Sequence, residues 1–331
     1  MTAFPALLAA VFPGGSALAQ TDKPPEAAGF ETQGETTAGY RFSDVGGRRE
    51  KFQELFNLRG GPRLLDFHLG GSDSTGKNRF ADNYQLTASG LGGDPFPGGQ
   101  FVISKARLYD FRASFRQTYY YWDRNDSAVL PSGFRGLTTN HNWATVRRFG
   151  SANLLAHASN RLKFRFEYGR SSRNGVNYTT RVMDYFGSPA AWGAFLRDSP
   201  YYVEAPLQES TDRVSGGFNY TAGSWSFQYT AGYQQFEQDL GWRNVASPQV
   251  SINLDSAASR REPLVAARWS EFRSLKTPLS EFFYNGRVNS RLSLRGDFIF
   301  FRYRGPATLD AAFTGVARTT GTAVGSYDIS L

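Results

Sequence analysis

The chain has 331 residues, a 15% share of aromatics and a formal net charge of +8 at pH 7. It has no cysteine, which excludes disulfide staples, thiolate-bound zinc, iron–sulfur ligation, a cysteine nucleophile and covalent c-type haem attachment within this chain. Mean hydropathy is −0.44, and no apolar run after residue 20 approaches the ~18 residues of a spanning helix, so a helical membrane protein is excluded too.

The N-terminus reads as an export signal over residues 1–19. Residues 3–12 are a short apolar run, and Ala17 and Ala19 stand before Gln20 as small residues do at a signal-peptidase site. No Lys or Arg precedes Lys23, so the usual basic start is missing and a truncated start or an upstream initiator is expected. Residues 20–34, rich in Pro, Glu, Ala and Thr, read as a flexible linker. Residues 35–331 read as one all-β unit. Within it, Arg48 to Leu58 has the spacing of a short amphipathic helix in a loop.

From Leu108 onward the hydrophobic period is two. Leu162, Phe164, Phe166 and Tyr168 alternate with Arg161, Lys163, Arg165 and Glu167. Trp225, Phe227, Tyr229, Ala231 and Tyr233 alternate with Ser226, Gln228, Thr230, Gly232 and Gln234, and the pattern returns near 291–300. Twelve strands are expected: 35–43, 62–70, 78–90, 100–105, 108–121, 146–158, 161–170, 211–222, 225–237, 279–288, 291–304 and 319–331. Many reach the ~9–11 residues that a tilted strand needs to cross a bilayer. Tight turns are expected at Lys105-Ala106-Arg107, Ser159-Asn160, Ala222-Gly223-Ser224 and Asn289-Ser290. Long polar connections are expected over Asp123–Ala144, Ser171–Ser210 and Asp239–Pro278. Short turns at one end and long loops at the other are the asymmetry of an antiparallel up-and-down transmembrane β-barrel.

The two faces differ in kind. Asp110, Arg112, Arg116, Lys163, Arg165, Glu167, Arg213, Arg287, Arg295 and Asp297 form a charged set, expected to line a lumen. In a barrel they point inward, because Arg or Lys at the lipid midplane costs roughly 2–4 kcal/mol. Phe111, Phe115, Leu162, Phe164, Phe166, Phe218, Phe227, Leu292, Leu294, Phe298 and Phe300 form an apolar set, expected to face lipid. Tyr119, Tyr121, Tyr168, Tyr220, Trp225 and Tyr233 suit an interfacial girdle near strand ends, where an apolar ring and a polar tip are both satisfied. An exported soluble β-sandwich would show the same alternation, and stays open as an alternative.

Only six of the 37 basic residues are lysines, which leaves 31 arginines. They are spread singly, without the cluster that nucleic-acid binding needs. Lining a water-filled lumen, they would prefer anions. His68, His141 and His157 share no metal-like spacing, and no nucleophile elbow, P-loop or dinucleotide fingerprint stands in a strand–helix context. No catalytic residue, metal site or cofactor is therefore expected in this chain.

Three stretches carry a family resemblance. They are Ala38-Gly-Tyr-Arg-Phe-Ser-Asp-Val-Gly-Gly with Lys51-Phe-Gln-Glu-Leu-Phe-Asn-Leu-Arg-Gly-Gly-Pro-Arg-Leu-Leu-Asp-Phe, Gly90-Leu-Gly-Gly-Asp-Pro-Phe, and Phe101 to Tyr121. Together they resemble bacterial outer-membrane barrels related to the porin component of porin–cytochrome complexes, the decahaem-associated outer-membrane protein family. The resemblance implies a barrel that sheathes a multihaem c-type cytochrome in the Gram-negative outer membrane and serves extracellular electron transfer, with haem supplied only by that partner. Some members carry an N-terminal cysteine pair that this chain lacks. Family barrels are usually much longer, and Leu331 is not the terminal aromatic common in such barrels, so the residues read as the N-terminal part of a longer one. The alternative from the residues alone is a passive, anion-preferring porin without a partner.

Overall fold

The computed structural model describes residues 30–47, 49–73, 75–76, 78–124, 141–182, 200–244, 249–250, 263–316 and 323–330. They form β1 (Phe30–Arg41), α1 (Arg49–Phe56), β2 (Gly61–Asp73), β3 (Asn83–Leu91), β4 (Gly98–Lys105), β5 (Tyr109–Arg124), β6 (His141–His157), β7 (Leu162–Val182), β8 (Pro200–Ala222), β9 (Trp225–Asn244), β10 (Gln249–Val250), β11 (Pro263–Arg287), β12 (Ser293–Phe301), β13 (Ala307–Val316) and β14 (Ala323–Ser330). Every pairing is antiparallel between chain neighbours, in the order β1-β2-β3-β4-β5-β6-β7-β8-β9-β11-β13-β14. This is an all-β, up-and-down sheet. Among the described residues no pairing joins β1 to β14.

Fourteen segments make twelve strands. β10 pairs β11 on from the β9 pairing, through Gln249↔Leu264. β12 and β13 share the other edge of β11 and keep one register, through Leu279↔Phe301, Lys276↔Arg304 and Arg273↔Ala307. The interruption falls where Pro306 has no N–H to donate. There Gly305 also presses on the Ser274 carbonyl, leaving no room for a Cβ.

Each expected strand region carries strand, with three corrections. β1 begins at Phe30, inside the expected linker, because residues 30–34 pair with Asp73 to Leu69 of β2. The expected helix is present as α1. The described parts of the expected long loops are strand: β7 runs to Val182, β8 starts at Pro200, β9 runs to Asn244 and β11 starts at Pro263. His141, expected in a loop, opens β6 opposite Arg124. Hydrophobic alternation did not reveal these extensions because the apolar residues change face past Tyr168 and Tyr233, which breaks the periodic signal. The calls on residues 1–29, the export signal included, lie outside the described residues.

The tight turns follow local chemistry. Ser159 Oγ accepts the N–H groups of Arg161 and Leu162 at 3.2 and 3.0 Å. Asn289 Oδ1 accepts those of Arg291 and Leu292 at 2.8 and 2.9 Å. A short side-chain acceptor two or three residues ahead of the donors is what closes such a turn. Gly223 takes φ +57° in the two-residue turn between Ala222 and Trp225, where the twist of a hairpin favours positive φ.

β4 is short and β5 long, so the edge of β5 beyond β4 needs other partners. Pro95 and Pro97 carbonyls accept from Tyr119 and Gln117 at 2.8 and 2.9 Å. Asn57, in the left-handed conformation just past α1, donates its side-chain amide to the Tyr119 carbonyl at 2.5 Å. α1 thereby blunts an edge that would otherwise offer unpaired backbone groups.

Side chains alternate between faces along each strand, and register carries each face across the sheet. One face is apolar. A row runs Ile103, Phe111, Leu154, Phe166, and the next runs Phe164, Phe218, Tyr229, Phe282, Phe298. On this face Phe166 is 53% exposed and Phe298 62%, whereas on β5 the charged side is the more open, with Asp110 and Arg112 exposed and Phe111 half-buried. On β7 the charged residues Lys163, Arg165 and Glu167 are half-buried, while their apolar neighbours Phe164 and Phe166 are exposed. A water-soluble sheet has the reverse arrangement.

The faces exchange character farther up the strands. Past Tyr168 and Tyr233 the apolar face carries Arg170, Asp212, Gln235 and Lys276 in one row. On the opposite face, at that end, Tyr201, Val203, Ala267 and Ala311 are buried as a small core with Trp242 and Trp269 packed on it. The two indoles stack with centroids 4.6 Å apart. Between Trp225 and Tyr233 lie eight residue steps, about 26 Å of strand at ~3.3 Å each.

Candidate functional site

All ten residues expected on the charged face share one face of the sheet. Asp110 and Arg165 both pair with Leu155, and Arg112 and Glu167 both pair with Asn153. Arg213 pairs with Gly169 two positions on. Asp297 pairs with Phe283, and Arg295 with Asn285. Arg287 closes the β11–β12 hairpin opposite Ser293. Phe111, Phe115, Leu162, Phe164, Phe166, Phe218, Phe227, Leu294, Phe298 and Phe300 share the other face by the same registers. Leu292 stands one residue before β12, in the turn where its carbonyl accepts the N–H groups of Val288 and Asn289.

The aromatics expected near strand ends divide. Tyr220 and Trp225 flank the Gly223 turn, and Tyr119 and Tyr121 stand near the far end of β5. Tyr168 and Tyr233 stand mid-strand, a correction that follows from the extended β7 and β9. They still mark a boundary of polarity. The Tyr168 hydroxyl donates to Asp212 Oδ1 at 2.8 Å, and Arg170 donates to the same oxygen at 3.3 Å. The ring thus lies on the apolar face, and the hydroxyl reaches the polar row beyond it.

The acids and bases of the charged face are sorted. His157 Nε2 lies 3.1 Å from Asp110 Oδ2. Arg165 lies 3.8 Å from Glu167. Arg116 stacks over the Phe149 ring at 5.5 Å, and Arg295 over Phe283 at 5.1 Å. Among the described residues no carboxylate pairs with Arg112, Arg116, Lys163 or Arg213. Across the sheet, Glu31 and Glu35 on β1 and Asp66 on β2 share this face with no described cation partner. A 760 Å³ basin between the two groups is lined by Asp66, Ser89, Gly98, Arg116 and Phe149 among others.

Sequence reasoning missed a second ionic cluster at the long-connection end. The Arg63 side chain is buried, donates to the carbonyls of Arg59, Pro62 and Gly92, and lies 3.3 Å from Asp94. Arg41 also pairs with Asp94. The guanidinium ties the β1–β2 connection to the β3–β4 turn. Its only signal in the sequence is the pair of glycines at 92–93, both at positive φ, which let the loop backbone approach Arg63.

The opposite end is held by two aspartates. Asp73 accepts the Thr75 hydroxyl at 2.6 Å and the Asn78 N–H at 2.6 Å, and these bonds hold its pKa down at about 2. Asp82 is lowered as well, first by the Lys105 ammonium at 2.6 Å and then by the Ala106 N–H.

Among the described residues no group of three or more His, Asp or Glu side chains could hold a metal ion, and no helix is long and apolar enough to cross a membrane. His68 Nε2 lies 3.3 Å from the Gln85 amide nitrogen. The arrangement offers charge, not a nucleophile–base pair. Compared with known proteins, the chain matches no family model and no curated sequence.

Proposed function

We propose that this chain forms the wall of a transmembrane β-barrel of the bacterial outer membrane, a porin-like conduit that sheathes a multihaem cytochrome. The observation that carries the reading is the exposed aromatic face. Its aromatics run from β7 to β12 and are bordered past Tyr168 and Tyr233 by the polar row Arg170, Asp212, Gln235 and Lys276, while the charged set occupies the other face. In water an exposed apolar face of this extent would drive association, whereas lipid satisfies it.

The first half of this proposal is tested by fractionation and refolding. A barrel partitions into detergent or vesicles and migrates anomalously in gels until heated. Recovery of folded protein in a detergent-free periplasmic extract would support a soluble β-sandwich instead. The second half is tested by purification from native membranes, where co-purification of a haem protein is expected. A passive anion-preferring porin is the second reading, favoured by the uncompensated arginines on the charged face. A planar-bilayer recording with anion preference and no haem partner in the membrane would select it.

A further inference from the structure

The charged face is electrically lopsided, and the imbalance survives internal pairing. Among the described residues of β5–β8 this face holds three acids: Asp110 is met by His157, Glu167 by Arg165, and Glu209 accepts from the Gln238 amide. The cations Arg112, Arg116, Lys163 and Arg213 have no described carboxylate partner. The face of β1–β2 holds the opposite surplus, in Glu31, Glu35 and Asp66. Cations in a strand wall that merely zip neighbouring strands together would alternate with acids across each pair. Here the cations of β5–β8 outnumber the acids on the same strands, and Glu31, Glu35 and Asp66 stand apart on β1–β2.

The cationic patch spans three interstrand steps from β5 to β8, about 14 Å, and eight residue steps from the Lys163 level to the Arg116 level, about 26 Å. That is the footprint of a folded surface, well beyond a single small anion. The Arg116 Cζ lies over the Phe149 ring, 5.5 Å from its centroid, and a guanidinium on an aromatic face keeps its N–H donors for a carboxylate.

Building on the barrel reading, we propose that the β5–β8 wall is a docking face for an acidic polypeptide surface, so that a partner in the conduit sits against this side and away from β1–β2. The acids of β1–β2 repel the same surface and fix the orientation, since like-charge contact suppresses the wrong pose.

The test uses the full chain in a planar bilayer, with short poly-L-glutamate and poly-L-lysine as probes. Poly-L-glutamate is expected to block the current. Raising salt from about 0.1 M to about 1 M shortens screening from ~10 Å to ~3 Å and should relieve the block. The double variant Arg112→Gln/Arg213→Gln should weaken the block by about tenfold, as loss of complementary charge does. Glu31→Gln/Glu35→Gln should leave it intact. Equal block by poly-L-lysine, or block unchanged in the arginine variant, overturns this inference and leaves the barrel standing. A change in chloride selectivity without any block by poly-L-glutamate also overturns it, in favour of a small-anion pathway. No channel at all overturns the barrel reading and this inference with it.

Discussion

Gly286 lies directly beneath the indole of Trp225, its cross-strand partner on the apolar face, and a Cβ at position 286 would overlap the ring. The same pairing recurs with Tyr284 over Gly296 and Tyr84 over Gly71, where the Cβ would stand 2.5 Å from the ring in each case. An aromatic laid across a glycine covers backbone that would otherwise be bare, and pins the register of the pair. Trp225 also stacks on Phe227 and Tyr284, with centroids 6.1 and 6.5 Å apart. Gly286→Val should therefore displace the indole and destabilise the sheet by about 2 kcal/mol, the cost of overpacking. Urea unfolding in detergent, followed by tryptophan fluorescence, measures it. An unchanged midpoint would mean that the indole has room to move aside.

Phe166→Arg separates a lipid-facing wall from a soluble one. The side chain is 53% exposed, so in water the change should be nearly neutral, within about 0.5 kcal/mol. Against lipid near the middle of the belt it should cost roughly 2–4 kcal/mol. Folding yield and stability in phospholipid vesicles are the readout, with Arg165→Phe as the companion change on the other face.

The Asp73 turn should be sensitive to acid. Its carboxyl is held at about 2 in the folded chain, below its unfolded value of ~3.9. A depressed folded pKa gives stabilisation that is present above pH ~4 and is lost as pH falls toward 2. Pepsin cleavage within residues 74–82 should therefore rise steeply over that window, and Asp73→Asn should cleave at the same rate across it.

Trp242→Ala should loosen the core at the extended end without disturbing the belt. Trp242 stacks on Trp269 and packs on Tyr201 and Val203, and removing such a side chain costs about 3 kcal/mol. Limited proteolysis should then cut near the far ends of β8, β9 and β11, while the heated and unheated gel mobilities stay those of the wild type. Equal loss of both would show that belt and core unfold as one unit.

Much of the sheet was legible in advance, for a physical reason. Side chains of a strand repeat every two residues, so Leu162–Tyr168 and Trp225–Tyr233 declared both strand and face. Turn chemistry was equally local: Ser159, Gly223 and Asn289 act within three residues of themselves. The extensions of β7, β8, β9 and β11 were hidden because their faces exchange character past Tyr168 and Tyr233, which erases a periodic signal. The Arg63–Asp94 cluster was hidden for a different reason, since it joins residues 31 positions apart through carbonyls that any residue could supply.

The sequence by itself determined the strands, their faces and the arginine-rich wall, because alternation, turn residues and composition are properties of neighbouring residues. Only the tertiary structure decided which charges remain free. Whether Arg112 or Arg213 meets a carboxylate depends on the residues that register places beside it, and Asp110 and Glu167 were claimed by His157 and Arg165. The composition's excess of positive charge thereby became a one-sided patch on β5–β8, because antiparallel pairing brings four cations together and keeps Glu31, Glu35 and Asp66 at the far edge.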